Sequence, residues 1–279
     1  MRFGVTMFMT DLTMGPIELA RAVEERGLVS LYVPEHTHIP VSRRTAPPTG
    51  DAELREEYKR TLDPFVALAM AAATTERILV GTGICLVAQR DPIVTAKEVA
   101  TLDALSNGRF MFGIGFGWNA DELADHGVAM ADRRAVVRER MLAMQALWRD
   151  EIASFAGEYV TLSPTWAWPK PAQSGGPPVL LGGAPGPKLF AQVAEYAQGW
   201  IPIGGAGIKN ALPELHRACE ARDRDPQSLR IVPFGTIPDP GKLEYYASIG
   251  VDEVVLRVPS GTADRVLPLL DEYAALVSP

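Results

Sequence analysis

Cysteine is scarce in this chain. Cys85 and Cys219 are the two in 279 residues, too few for a disulfide framework. Both sit in apolar stretches and read as reduced core thiols. Long apolar runs are also missing. No stretch reaches the roughly 20 residues that a membrane-spanning helix needs, and no basic segment followed by an apolar one opens the chain, because Met1 leads straight into a strand pattern. Neither sign of charge dominates. The 27 Lys+Arg and 34 Asp+Glu leave a net charge of −7. They are interspersed along the chain, which argues against a nucleic-acid partner. Of the four histidines, none stands with acidic residues at metal-ligand spacing, so no metal is expected. There is no G-x-S-x-G elbow for serine chemistry, and no glycine spacing of the Walker or Rossmann kind. The expectation is a cytoplasmic protein that acts on a small molecule without metal, membrane or nucleic acid.

What is present is alternation. Strand patterns fall at residues 2–7, 31–33, 78–84, 109–115, 178–181, 200–203, 231–235 and 253–258. Helical patterns lie between them. Asp63-Pro64 opens one helix that carries Phe65, Leu68, Ala69 and Ala72. Residues 132–148 form a longer one with Val136, Met141, Leu142, Met144 and Leu147 inward. With 47% hydrophobic residues, the chain can form one α/β barrel or two smaller domains. No shift of composition divides it, which favours a single domain over 1–279. Eight strands alternating with about eight helices predict a parallel (β/α)8 barrel.

The segment 74–122 carries the most information. Its first strand ends in Thr82-Gly83-Ile84. Asp91-Pro92 then starts a helix, with Asp91 able to accept from the free backbone amides and Pro92 having no amide hydrogen to lose. Ile93, Val94, Ala96, Val99, Ala100, Leu102 and Leu105 give that helix an apolar face, and Asn107-Gly108 stops it. The next strand also ends in glycine. Glycine at both carboxyl ends lets a ligand approach the backbone closely.

Two segments break the alternation. Residues 37–62 hold Pro40, Pro47, Pro48, Gly50 and a charged run at 53–60. This excursion is either a lid over a binding site or a solvated surface loop. Residues 151–177 hold a small hairpin at 155–159 and then a proline-rich tether with Trp166 and Trp168, read as mainly structural.

In a parallel barrel the carboxyl ends of all strands share one mouth. Met7 and Met9, Glu35 and His36, Gly83 and Ile84, and Gly115, Gly117, Trp118 and Asn119 gather there. So do the glycine-rich turn at 182–186, Gly204 and Gly205, and Arg257. That rim suits a large flat ligand with an anionic tail. Phe8 and Ile203 add to its apolar character, so Met7, Met9, Trp118 and Ile203 are the expected substrate contacts. The turn Gly182-Gly183-Ala184-Pro185-Gly186-Pro187-Lys188 is either a plain strand-to-helix turn or a phosphate site built from backbone amides and a helix dipole. His36 is either a structural histidine or a proton carrier, since histidine titrates near neutrality. His38 need not point inward, and His126 and His216 are expected to be exposed.

These motifs keep their order and spacing over most of the chain, and they resemble the bacterial-luciferase-like superfamily. The likeness is strongest over 78–122. It recurs in Val33-Pro34-Glu35-His36, in Phe155-Ala156-Gly157-Glu158-Tyr159, in Pro169-Lys170-Pro171 and at 178–200. The F420-dependent branch is the most similar. The resemblance implies a barrel that uses coenzyme F420, or alternatively FMN. It implies a non-prolyl cis peptide at Gly83-Ile84, backing the cofactor ring. It also implies cofactor contacts from Gly115 and Trp118, and a phosphate loop made by Gly182, Gly183, Ala184, Gly186 and Lys188. Glu35 and His36 then stand beside the cofactor as catalytic candidates. Trp118 occupies the position where sugar-phosphate dehydrogenases of this branch carry a glutamate, which speaks against that activity. Glu122 is expected to cap a local turn or helix. The activity so implied is hydride transfer between F420 and a mostly apolar organic molecule such as an unsaturated carbonyl or imine. An FMN-dependent monooxygenase, or a non-catalytic ligand-binding or partner subunit, are the alternatives. A homodimer and a reductase supplying reduced cofactor are the expected partners.

Overall fold

A computed structural model of the chain describes residues 1–46, 50, 53–205 and 207–277. Its strands are β1 (Arg2–Thr6), β2 (Ser30–Val33), β3 (Leu79–Cys85), β4 (Phe110–Ile114), β5 (Ala153–Ala156), β6 (Thr161–Thr165), β7 (Val179–Gly182), β8 (Gly199–Ile201), β9 (Arg230–Ile231), β10 (Phe234–Thr236) and β11 (Glu253–Arg257). Its helices are α1 (Pro16–Glu25), α2 (Pro64–Ala73), α3 (Pro92–Leu105), α4 (Ala120–Asp125), α5 (Arg133–Arg149), α6 (Pro187–Tyr196), α7 (Ile208–Glu220), α8 (Pro240–Ser248) and α9 (Ala263–Ala274). Nine strands form one parallel sheet in the order β10-β11-β1-β2-β3-β4-β7-β8-β9. β9 and β10 are two pieces of one barrel position. β9 pairs with β8 and β10 pairs with β11, and a parallel bridge from Ile203 to Phe234 closes the ring. The result is the expected eight-position barrel. The seventh strand is broken because Pro233, between its halves, has no amide to give the ladder.

The Asp-Pro starts behave as anticipated. Asp63 accepts from the amides of Phe65 and Val66, and Asp91 from those of Ile93 and Val94. The inward face of α3 differs from the expectation. Ala96, Val99, Ala100 and Leu102 are buried, but Ile93, Val94 and Leu105 are 53%, 56% and 82% exposed. Lys97, Glu98 and Thr101 mark the outward side of this helix, and Ile93, Val94 and Leu105 lie three or four residues from them on that same side. β5 and β6 form the antiparallel hairpin, and the exposed Trp166 and Trp168 lie on the helical flank, away from the barrel mouth. Both cysteines are free and buried, and burial pushes the Cys85 thiol well up from its ordinary pKa.

The barrel interior holds its own small core of Tyr32, Met111, Leu180, Ile201, Val232, Phe234 and Val255. Glycines make room for it. A Cβ on Gly81 would sit 2.4 Å from the Tyr32 ring, and one on Gly83 2.2 Å from the Phe234 ring. At the amino end, Glu253 is buried and accepts a 2.5 Å hydrogen bond from Ser30 Oγ. Burial raises its carboxyl above the ordinary value, against the pull of Ser30 and the nearby Arg2 and Arg230. A carboxyl whose folded pKa lies above its unfolded one contributes stability below the unfolded value, about 4.3, and loses it as pH rises through the folded value. Wild type should therefore lose urea resistance between pH 5 and pH 8, and Glu253→Gln should lose less over the same interval. Equal losses in the two proteins would remove Glu253 from the account.

Candidate functional site

The carboxyl ends of the strands surround a cavity of about 440 Å³, within the range of small-molecule sites. Its floor is the end of β3, where Gly83-Ile84 is a cis peptide and the pairing of β3 with β4 shifts register. Gly115 lies directly behind. A Cβ there would fall 1.8 Å from Ile84 Cδ1, so Gly115 seats the Ile84 side chain. Phe8, Leu86, Phe116, Trp118, Ile203 and Phe234 give the walls an apolar character. From the 37–62 excursion, a short 3₁₀ turn at Glu56–Lys59 brings the buried Tyr58 over this space. Its ring centroid lies 4.8 Å from that of Phe8, 5.4 Å from that of His36 and 6.2 Å from that of Trp118.

His36 follows β2 and is buried in the cavity wall. Its Nδ1 lies 2.9 and 3.0 Å from the two carboxylate oxygens of Glu122. A carboxylate only accepts, so Nδ1 carries the hydrogen. Trp118 Nε1–H approaches His36 Nε2 at 3.4 Å, and Nε2 is then the acceptor. The two contacts select the Nδ1–H tautomer and aim the unprotonated nitrogen at the cavity wall. Glu122 reaches His36 from the first turn of α4. The cap of that helix is Asn119, whose Oδ1 accepts from the amides of Asp121 and Glu122, so the capping role expected of Glu122 falls to Asn119.

Glu35 precedes His36 and also borders the cavity, but both of its oxygens are engaged. Oε2 accepts from the Leu86 amide at 2.7 Å, and Oε1 from Arg90 Nε at 2.5 Å. Arg90 further bonds Asp63 at 2.6 Å and Glu98 at 3.1 Å, and it lies over the Phe65 ring. The carbonyl of Arg90 accepts in turn from Arg140 of α5.

One end of the cavity is cationic. Arg133 and Arg134 open α5 and line it. Arg133 Nε and Arg134 Nη1 are buried without a hydrogen-bond partner, and neither guanidinium has a carboxylate in salt-bridge reach among the described residues. Burial and the adjoining Arg133 lower the pKa of Arg134, whose guanidinium sits 4.2 Å above the Phe116 ring. Two adjacent, partly desolvated cations call for an anion.

A family model described as luciferase-like monooxygenase matches residues 15–237. The chain belongs to the luciferase-like family. It is 45% identical over 280 aligned residues to an uncharacterised protein of Mycobacterium tuberculosis, covering 99% of this chain and 98% of that one. It is 26% identical over 272 residues to the F420-dependent hydroxymycolic acid dehydrogenase of the same organism, covering 93% of this chain and 68% of the relative. In fold it resembles a monooxygenase from Streptomyces bottropensis, with a TM-score of 0.78 and 20% identity over 99% of this chain and 98% of that one.

Within this luciferase-like barrel, the expected site residues separate into two groups. Glu35, His36, Gly83, Ile84, Trp118, Gly182, Gly183 and Ile203 come together around the cavity. Gly115, behind Ile84, and Ala184, Gly186 and Lys188 lie outside its lining, and Ala184 and Lys188 are exposed on the rim. Met7 and Met9 are a correction, because both are buried in the core between sheet and helices. Strand alternation puts Thr6 and Phe8 on the cavity side instead. His38 points away, its Nε2 2.9 Å from Asp125, while His126 and His216 are half-buried rather than exposed. Pro47 and Pro48 of the excursion lie outside the described residues. The sequence reading does not single out Tyr58, Leu86, Phe116, Arg133 or Arg134, which line the cavity, and it gives Glu122, the partner of His36, only a capping role. The arginine pair did carry a signal: two cations at a helix N-terminus oppose the dipole, and such a placement needs another reason. Among the described residues there is no cluster that could hold a metal and no helix long and apolar enough to cross a membrane.

If Glu122 orients His36, Glu122→Ala should destabilise the protein by about 2 kcal/mol, the cost of stranding a buried donor. Glu122→Gln, which still accepts from Nδ1, should cost less. Guanidinium unfolding of both variants tests this, and equal costs would mean that the hydrogen bond is idle.

Proposed function

We propose that this luciferase-like protein transfers a hydride between coenzyme F420 and a mostly apolar organic small molecule. The observation that carries the reading is His36, fixed in one tautomer at the edge of an apolar chamber that has an unpaired cation pair at one end. The F420-dependent mycobacterial relative supports the choice of cofactor. F420, when bound, supplies the hydride-carrying ring. Arg133 and Arg134, with the glycines of the 182–186 turn, hold the anionic tail. Gly83 and Ile84 back the ring, Tyr58 and the excursion that carries it act as a lid that excludes water, and Trp118 and Ile203 contact the substrate. His36 Nε2 takes up or returns the proton at the cavity wall. In this reading Glu35 is a positioning residue, not the catalytic one first expected, because its oxygens are already committed.

The runner-up is an FMN-dependent monooxygenase, favoured by the structural likeness to a monooxygenase. In either case a separate reductase supplies reduced cofactor. Reduced buried thiols suit a cytoplasmic location. Binding of F420 and FMN, measured side by side, decides between the two. The expected result is micromolar or tighter F420 binding, weakened about tenfold to a hundredfold by Arg133→Met combined with Arg134→Met, the loss of one or two charge-assisted bonds. Preference for FMN would move the assignment to the monooxygenase, and binding of neither would sink both.

We also infer a homodimer. Val66 and Met70 of α2 and Ile93 and Val94 of α3 are large apolar side chains left exposed on helices adjacent in space, more than scattered surface residues explain. Sedimentation velocity should show a dimer, and Val66→Glu with Val94→Glu a monomer. A wild-type monomer at tens of micromolar would refute it.

A further inference from the structure

Arg257 ends β11 and lines the cavity. Among the described residues its guanidinium has neither an ion pair nor a hydrogen bond. Only its backbone is tied: its carbonyl accepts from the Tyr273 hydroxyl at 2.7 Å. In the strand order of the ring, β11 lies half-way round from β4, and the Arg133-Arg134 pair follows β4. The cavity therefore has cations on opposite walls, separated by the apolar groups Phe8, Ile203 and Phe234. One anionic tail does not account for both.

We propose that Arg257 binds an anionic group of the substrate, and that the substrate is an apolar molecule ending in a carboxylate. This rests on the cofactor's tail lying at Arg133 and Arg134. A guanidinium presents two parallel N–H groups that match a carboxylate, and Thr6, its register partner on β1, lines the same wall. One arginine balances one negative charge. A dianionic phosphate would need a second cation, and the other cavity arginines are across the ring. The remaining acids of the lining differ in standing: Glu35 is paired with Arg90, and Glu57 lies on the excursion beside Tyr58.

The test is calorimetric titration of cinnamate and of methyl cinnamate into the F420-loaded protein. The acid should bind at least ten times more tightly than the ester. Arg257→Met should abolish that preference and Arg257→Lys should keep part of it, while the affinity of both variants for F420 stays within about twofold of wild type. Equal binding of acid and ester by wild type, or no binding of the acid, would overturn the proposal. So would a tenfold loss of F420 affinity in Arg257→Met, which would give this arginine to the cofactor. The same titrations without cofactor separate the two readings. If F420 and FMN fail to bind but the acid preference persists and depends on Arg257, the cofactor assignment falls and the anion site stands.

Discussion

The site depends on the ion pair between Arg90 and Glu35. Glu35 belongs to the loop after β2, and Arg90 to the loop after β3. The pair joins them, and the remaining arms of the guanidinium reach Asp63 at the start of α2 and Glu98 on α3. The second oxygen of Glu35 holds the Leu86 amide, two residues beyond the Gly83-Ile84 peptide. This cluster, shielded at Glu35 and Arg90, thereby links the floor of the cavity, the residue before His36 and two helix positions. A buried pair of this kind adds little net stability compared with an apolar replacement, because desolvation offsets the attraction. What it does contribute is placement. Removing Arg90 leaves Glu35 charged without its cation in a site that cannot solvate it, whereas removing Glu35 still leaves Arg90 its bonds to Asp63 and Glu98.

Much of this fold can be read from local chemistry. Asp63-Pro64 and Asp91-Pro92 both form the caps that their residue types dictate, and the glycines at 83 and 182 stand at strand ends because side chains of other strands, or a ligand, need the room. His36 could be singled out, since it follows a short apolar strand in a barrel where every such strand leads to the mouth. Its partner could not. Glu122 lies 86 residues away, and nothing near it in sequence separates a buried carboxylate from a capping one. The period-two rule, carried one residue past β1, distinguishes Phe8 from Met7 and Met9. Composition alone does not, because all three are apolar. Likewise in α3 hydrophobicity alone groups Ile93, Val94 and Leu105 with the buried residues, whereas their helical spacing from Lys97, Glu98 and Thr101 puts them on the outward side.

The electrostatics of the cavity run against those of the chain. The protein carries a net charge of −7, yet the cavity walls hold Arg133, Arg134 and Arg257, none of which has a carboxylate partner among the described residues. A cationic cleft in an acidic protein focuses its field inward, where walls of low dielectric screen little. Anions are then drawn to the mouth while the remaining surface repels them.

The geometry around His36 bears on how a proton can be handled there. With hydrogen on Nδ1, the ring can accept a proton only at Nε2, and there it meets Trp118. That contact, at 3.4 Å, is beyond the usual range for a strong N–H donor. Moving away from it costs Trp118 little, since the indole borders an open cavity. Once Nε2 is protonated, the positive ring faces Glu122, whose two oxygens already flank Nδ1 and need no rearrangement. The arrangement thus combines a weakly held acceptor on the cavity side with a preformed counter-charge on the protein side. A structural histidine requires only the second of these. The first has a use only if something in the cavity gives up a proton.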